Sequence, residues 1–401
     1  MSDKNTTEKK EKRGKIRIII LAILILTLVA ATSVIVYTVA FHEPDDQTSD
    51  TKPFDYTPAT KEDPENTDKP DKQTDKQTDR ETPSDKTFNF LLLGRDQTSA
   101  NTDVIMLINF NVTSGGISVL QLPRDTYIEL NKTSYKLNSL YHHFVKEAQT
   151  KKQKDTDAYS LSKVASTLEQ NLCINIHYYA MINLKGFRNI VDILGGVEVD
   201  IPANMVYHDE SQNLHINLKK GKQVLDGKKA EMFVRFRSGY VQADIGRMDA
   251  QKIFMSALLK TLKENFTVSN VVKIANEVYK NVTTDVPLDD MIYFGKALMG
   301  INMDKILFMS MPGTAARSNG DSGAWYYVMN RKAMIPIIEK YFNIYDDVIV
   351  NNSIFDPNRV FSSQKIHPHI DKLYNAEPDE SQGGSHSAED INDGSIHIPR
   401  L

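Results

Sequence analysis

Short runs of arginine and aspartate recur through the middle of the chain. They read Gly94-Arg95-Asp96, Asp103, Pro123-Arg124-Asp125, Arg235-Phe236-Arg237, and Asp244-Ile245-Gly246-Arg247 with Gln251 four residues on. A guanidinium presents a fixed fork of donors that suits phosphate oxygens. Carboxylates among such arginines suit a hard cation, Mg²⁺ or Mn²⁺ in its place, which takes one or two carboxylates plus substrate phosphates. The combination is what a site needs to hold a pyrophosphate and break it.

Each residue has a plainer competing reading. Arg247 and Gln251 stand four apart in the opening turns of an expected helix, hence on one face, and the stripe continues through Phe254 and Leu258. A polar patch leading into an apolar track fits a phosphorylated head and a hydrocarbon chain. An ordinary amphipathic helix with a charged first turn would look the same. Ser238-Gly239 after Arg235 and Arg237 marks a helix end. On extended chain, residues two apart share a face, so both guanidinium groups would aim at one target; the alternative is a solvated pair. Asp244 is placed to cap the following helix, and a capping carboxylate can also orient an arginine. Asp96 and Asp103 flank a polar loop between two apolar strands. Sites in open α/β sheets gather at strand ends, although turns favour aspartate on their own account. Arg124 ends another strand and is expected at the same rim.

Other chemistries lack their residues. His142 and His143 are adjacent on an expected helix and diverge by about 100°. There is no paired Cys/His spacing for zinc, no GxGxxG or Walker-type loop for a nucleotide, and no Gly-x-Ser-x-Gly elbow. A net charge of −4 points to no nucleic-acid partner.

The elements that must position these residues start abruptly at Phe88. Strands are expected at 88–93, 104–110 and 117–122, buried rather than alternating, with 112–116 as a turn. Helices are expected at 136–148 and 158–170, a strand at 178–184, a helix at 185–193 closed by Gly195-Gly196, and a strand at 197–201. Asp226 is placed to cap a helix at 227–234, and a longer helix spans 245–263. Helices near 268–279, 288–299 and 331–341 and a strand near 305–311 complete the set. This alternation predicts an α/β fold: one three-layer domain at 87–350, with a central mixed sheet flanked by helices.

The flanks have a different character. Residues 1–17 form a basic tail, and 18–41 an apolar run of about 36 Å as helix, enough to cross a bilayer. A cleaved signal peptide is the alternative, but its apolar core runs only about 7–15 residues, and here apolar character persists beyond Ala31. The charge asymmetry predicts a single-pass anchor in the cell membrane, with the N-terminus cytoplasmic and the bulk outside. Residues 42–86 are polar and low in aliphatics, with a near-repeat at 71–78, and are expected to stay disordered. As a coil they reach on the order of 35–40 Å, which suits a substrate held in lipid or in the wall just beyond. Residues 351–401 read as a loose tail. Cys173 is the single cysteine, so no intrachain disulfide can form. That points away from a eukaryotic ectodomain and towards a bacterium with a single membrane.

From Phe88 to Leu262, and more loosely to Tyr341, the chain resembles the LytR-CpsA-Psr family of cell-wall assembly proteins. The resemblance rests on several ordered motifs: Leu93-Gly94-Arg95-Asp96 with 102–107, Leu122-Pro123-Arg124-Asp125-Thr126, and Lys136-Leu137-Asn138-Ser139-Leu140-Tyr141. Further along come Val191-Asp192-Ile193-Leu194-Gly195-Gly196-Val197, then Leu225-Asp226-Gly227 through Arg237, then Asp244 to Gln251. It implies a membrane-anchored phosphotransferase that moves a teichoic acid or capsular polysaccharide from undecaprenyl pyrophosphate to a muramic acid hydroxyl of peptidoglycan. Asp96 and Asp103 would then hold Mg²⁺; Arg124, Arg235, Arg237, Arg247 and Gln251 would grip the pyrophosphate; Asp244 would position the arginines. Arg95, Phe254 and Leu258 join Gln251 in the substrate-binding set. Family members often carry arginine before that glutamine, and here the place is Ala250, which implies less positive charge at the mouth. A non-catalytic polyprenyl-phosphate scaffold or regulator, or a lipid pyrophosphate phosphatase, would use much of the same residue set.

Overall fold

A computed structural model describes residues 43–44, 86–95, 101–130, 133–172, 174–210, 214–236, 243–265, 268–319, 322–342, 373, 376 and 385–387. The expected span at 18–41 lies outside them; among the described residues no helix is long and apolar enough to cross a membrane.

Three antiparallel strands, β1 (Thr87–Arg95), β2 (Thr102–Asn111) and β3 (Gly116–Gln121), form a meander. A hairpin of β4 (Tyr127–Leu130) and β5 (Thr133–Lys136) follows, then a short 3-10 turn at Leu137–Ser139 and helices α1 (Leu140–Thr150) and α2 (Thr156–Leu172). They lead to β6 (Tyr178–Asn183), which pairs parallel to β1. Helix α3 (Leu184–Ile193) and strands β7 (Val197–Ile201), β8 (Met205–Asp209), β9 (Leu214–Leu218) and β10 (Gly221–Leu225) come next. Helices α4 (Gly227–Arg235), α5 (Ala243–Asn265) and α6 (Val268–Asn281) precede β11 (Val282–Thr284) and α7 (Leu288–Met299). The chain then runs through β12 (Ile306–Ser310), β13 (Gly313–Arg317), β14 (Trp325–Met329) and α8 (Arg331–Tyr341), and β15 (Ser385–Ser387) is the last described strand.

The central sheet has the order β11-β6-β1-β2-β3-β12-β15 and is mixed: β6 on β1 and β12 on β3 are parallel, the other pairs antiparallel. Its strands are buried as expected, because successive side chains enter two cores, one on each covered face. Leu91, Leu93, Ile105, Leu107 and Leu120 pack towards α1, α2 and α8, while Phe88, Met106, Phe110, Ile117 and Val119 pack towards α7 and the far half of α5. Two covered faces leave each strand apolar at nearly every position. The predicted α/β class, a mixed sheet between helices, is what forms.

A second core lies beside the sheet, built from Val191, Val197, Val199, Ile216, Phe233, Ala250 and Phe254 of α3, β7, β9, α4 and α5. Helix α5 therefore carries apolar residues on more than one side: Ala250, Phe254 and Ala257 face this core, Leu259 and Leu262 the sheet. The tail expected to be loose contributes β15, which pairs antiparallel with the otherwise open edge of β12.

Candidate functional site

The site begins where β1 and β2 separate. A Cβ on Gly94 would lie 2.9 Å from Cβ of Val104, so a larger residue would push the strands apart. The pairing register shifts between Gly94 and Arg95, and such an irregularity re-aims the next side chain. The Arg95 guanidinium carbon lies 5.5 Å from the centroid of the Tyr141 ring. Tyr141 donates its hydroxyl to Asp157 Oδ1 at 2.6 Å. Burial first, then that bond, push its pKa well above the usual tyrosine value, so the ring is a neutral, fixed platform for a cation.

Asp103 is the second residue of β2, which starts two residues earlier than expected, and its Oδ1 pairs with Arg124 Nη1 at 2.8 Å. The turn bearing Arg124 is braced from three sides. Thr126 Oγ1 donates to the Pro123 carbonyl at 2.6 Å, Asn138 N–H donates to the Arg124 carbonyl at 2.9 Å, and Tyr327 N–H donates to the Asp125 carbonyl at 2.8 Å. Lys136 Nζ adds an ion pair to Asp125 at 3.1 Å. The Lys136–Ser139 segment therefore serves as a brace that fixes where the arginine stands.

The Gly195-Gly196 turn and the start of α4 form a second brace. Gly195 and Gly196 have φ of +81° and +96°, and their N–H groups cap α3 on the Asp192 and Val191 carbonyls. Asp192 Oδ1 accepts from Gly227 N–H at 2.8 Å, and Asp226 caps α4 by accepting from Lys229 N–H. A Cβ on Gly227 would meet the Arg188 carbonyl oxygen at 2.3 Å, so α3 and α4 cross at contact distance only because glycine stands there. Helix α4 is thereby aimed, and its last residue is Arg235. Arg235 belongs to the final helical turn, not to extended chain as expected, because helical hydrogen bonding persists until Phe236 turns extended. Its Nη1 pairs with Glu231 Oε1 at 2.9 Å, and Glu231 Oε2 pairs with Arg188 Nη1 at 2.6 Å.

The first turns of α5 supply Arg247, only 4% exposed, and Gln251. Gln251 Oε1 accepts from Gln121 Nε2 at 2.6 Å at the end of β3, and its Nε2 reaches the Val234 carbonyl at 3.4 Å. One side chain thus ties the sheet, α4 and α5 together.

These elements enclose a cavity of about 410 Å³. Arg95, Asp103, Arg235, Arg247, Gln251 and Phe254 line it, with Leu92, Val104, Met106, Ile182, Phe187 and Met255 as an apolar floor and Tyr207 and Leu214 from the β8–β9 hairpin as a wall. Arg124 joins through its pair with Asp103. Leu258 does not line the cavity; it lies one turn beyond its end and packs against the second core, and Met255 takes the place expected for it. Ala250 is fully buried in that core. Its Cβ does not face the mouth, so the charge expected to be missing there concerns a position pointing elsewhere. Asp96 and Arg237 lie outside the described residues, as does the Asp244 side chain. By its backbone Asp244 is the second residue of α5, not the residue before it. Among the described residues no group of three or more His, Cys, Asp or Glu side chains could hold a metal ion. A single carboxylate at the cavity wall, Asp103, is still the oxygen donor that fits Mg²⁺, which takes few protein ligands when substrate phosphates supply the rest.

Sequence reasoning missed Glu231, Arg188, Gln121, Phe187 and Tyr207. Glu231 precedes Arg235 by four residues, a readable helical ion-pair spacing; Gln121 and Arg188 carry no local signal.

The LytR_cpsA_psr family model matches residues 55–342. The chain belongs to the LytR_cpsA_psr family. Among family relatives, the polyisoprenyl-teichoic acid–peptidoglycan teichoic acid transferase TagV of Bacillus subtilis is 25% identical over 239 residues, covering 57% of this chain and 57% of TagV. The regulatory protein MsrR of Staphylococcus aureus is 29% identical over 226 residues, covering 55% of this chain and 63% of MsrR. The chain thus spans about three fifths of the length of these two curated relatives. The crystal structure of B. subtilis TagV matches with a TM-score of 0.52 at 22% identity, over 63% of this chain and 94% of that one. This family likeness is one of fold: a mixed sheet between helices.

Proposed function

We propose that this protein is a phosphotransferase that moves an anionic glycopolymer from a polyprenyl pyrophosphate carrier to a hydroxyl of peptidoglycan. The observation that carries the reading is the cavity itself, where Arg95, Arg235 and Arg247 share the lining of one pocket with the apolar Leu92, Phe187, Phe254 and Met255. A linked pair of phosphates needs fixed cations, and a polyprenyl chain needs the dry floor. TagV, whose name gives it a polyisoprenyl-linked teichoic acid and peptidoglycan, supports the choice of donor and acceptor.

In this reading the acceptor oxygen attacks the sugar-side phosphorus, the bond from that phosphorus to the bridging oxygen breaks, and polyprenyl phosphate leaves. The acceptor proton passes to solvent or a nearby carboxylate. Arg235 and Arg247 hold the phosphate oxygens in place, and their preorganised charge stabilises the negative charge that builds as the bond breaks. Glu231 fixes the Arg235 fork, and Gln251 keeps α4 and α5 at the right separation. Asp103, with Asp96, would hold Mg²⁺, which would neutralise phosphate charge. The apolar run at 18–41 would anchor the chain in the cell membrane beside its lipid donor, with the catalytic part outside the cell.

The test is product analysis with the full-length chain and a purified lipid-pyrophosphate-linked glycan, with and without peptidoglycan. Glycan attached to peptidoglycan, with polyprenyl phosphate released only when acceptor is present, is the expected result. Release into water without acceptor would make the protein a phosphatase. Binding with no bond broken would make it a scaffold or regulator.

A further inference from the structure

The β8–β9 hairpin has two faces with different business. Tyr207 and Leu214 point inward to the cavity wall, while His208 and His215, direct cross-strand partners, stand together on the solvent face. Their Nδ1 atoms are 3.4 Å apart. Two nitrogens bound to one tetrahedral zinc at about 2.0–2.1 Å each lie about 3.3–3.4 Å apart. The two imidazoles are therefore already at the bite of a chelate, with no strand movement needed. The rings are tilted by 50° with centroids 5.6 Å apart, so they do not stack face to face. Glu210 lies on the other side of His215, its Oε2 3.9 Å from Nε2. At that distance the carboxylate adds negative charge beside the pair without a hydrogen bond to it.

We propose that His208 and His215 form a binding site for a borderline divalent transition ion, Zn²⁺ or Cu²⁺, with water completing the coordination. Imidazole nitrogen selects such ions over Mg²⁺, which takes oxygen. The site is separate from the arginine-lined cavity and does not rest on the transferase reading. Its consequence is mechanical: a metal bridging the two strands holds closed the hairpin whose other face supplies Tyr207 and Leu214.

The measurement is calorimetric titration of ZnCl₂ into the full-length chain, beside the His208→Gln/His215→Gln double variant and Glu210→Gln. The double variant should bind one Zn²⁺ fewer per chain. Glu210→Gln should keep the zinc stoichiometry of the wild type, and MgCl₂ in excess should not compete. Amide exchange across Met205–Leu218 should slow with Zn²⁺ in the wild type and stay unchanged in the double variant. Thermal unfolding without metal checks that the variants fold. Equal zinc stoichiometry in wild type and double variant, or exchange in the hairpin indifferent to zinc, overturns the proposal; so does a one-site loss that appears equally with Mg²⁺.

Discussion

Arg235 and Arg247 reach one cavity from two helices, and each is held there by neighbours that sequence spacing only partly exposes. Replacing either with alanine should lower the transfer rate by about 10²–10³, the cost of one preorganised donor at a developing charge, while circular dichroism shows the fold retained. Glu231 predicts a different pattern. It is buried between Arg188 and Arg235, so Glu231→Ala should cost stability, about 2 kcal/mol by chemical denaturation, as well as rate. Gln251→Ala should also destabilise, by roughly 1–3 kcal/mol, because the buried Gln121 amide loses its partner. The arginines were legible from their types and runs, since few other roles explain so many guanidinium groups beside carboxylates. Glu231 stood at a readable spacing from Arg235, but spacing on a helix that also carries Lys228 and Lys229 does not say that the carboxylate is buried. Gln121 was hidden because it ends an apolar strand, and nothing local says that its amide faces α5.

At the scale of elements, the motifs divide into those that touch the cavity and those that aim the ones that do. Asp192, Gly196 and Gly227 belong to the second kind. A Cβ at 227 must displace the Arg188 backbone, so Gly227→Ala should destabilise by about 1–3 kcal/mol, the usual cost of overpacking. It should also lower transfer, because tilting α4 moves Arg235; a mild loss of stability with full activity would show that the clasp does not aim the site. Several regular elements were readable from sequence: β7, α7 and α8 begin and end where expected. The hairpins β4–β5, β8–β9 and β13–β14 were not. Met205–Leu218 mixes inward apolar and outward polar residues over strands of only five residues each, a period too short to stand out from loop. That is why Tyr207 and the paired histidines escaped notice. Leu258 shows the converse limit, since helical phase is readable from spacing but the length of a cavity along the helix is not.

For the molecule as a whole, two of the three apolar clusters meet on α5, and the cavity is lined from both, by Phe187, Leu214 and Phe254 of one and Leu92, Met106 and Met255 of the other. The topology of that arrangement was beyond sequence reading, because β6 and β12 reach their places by crossovers whose pairing no local pattern specifies. Global stability should carry a mark of Asp285, which partial desolvation pushes from 3.8 up to about 6 against the opposing pull of the Tyr179 N–H it accepts at 2.7 Å. Between those values the native state keeps a proton that the unfolded chain has released, so this group's contribution to stability falls as pH rises from about 4 to 6. Asp285→Asn, which keeps the accepting oxygen, should be more stable than wild type at pH 7 by urea denaturation. The advantage should shrink towards pH 4; an advantage that does not vary with pH would remove the carboxyl from the account.

The most direct measurement is a crystal structure of the chain with a polyprenyl pyrophosphate. The account predicts phosphate oxygens within hydrogen-bonding distance of Arg235 and Arg247, and a hydrocarbon chain running over Leu92, Phe187, Phe254 and Met255. Phosphates bound on another surface, or a lipid chain that leaves this pocket empty, would contradict it.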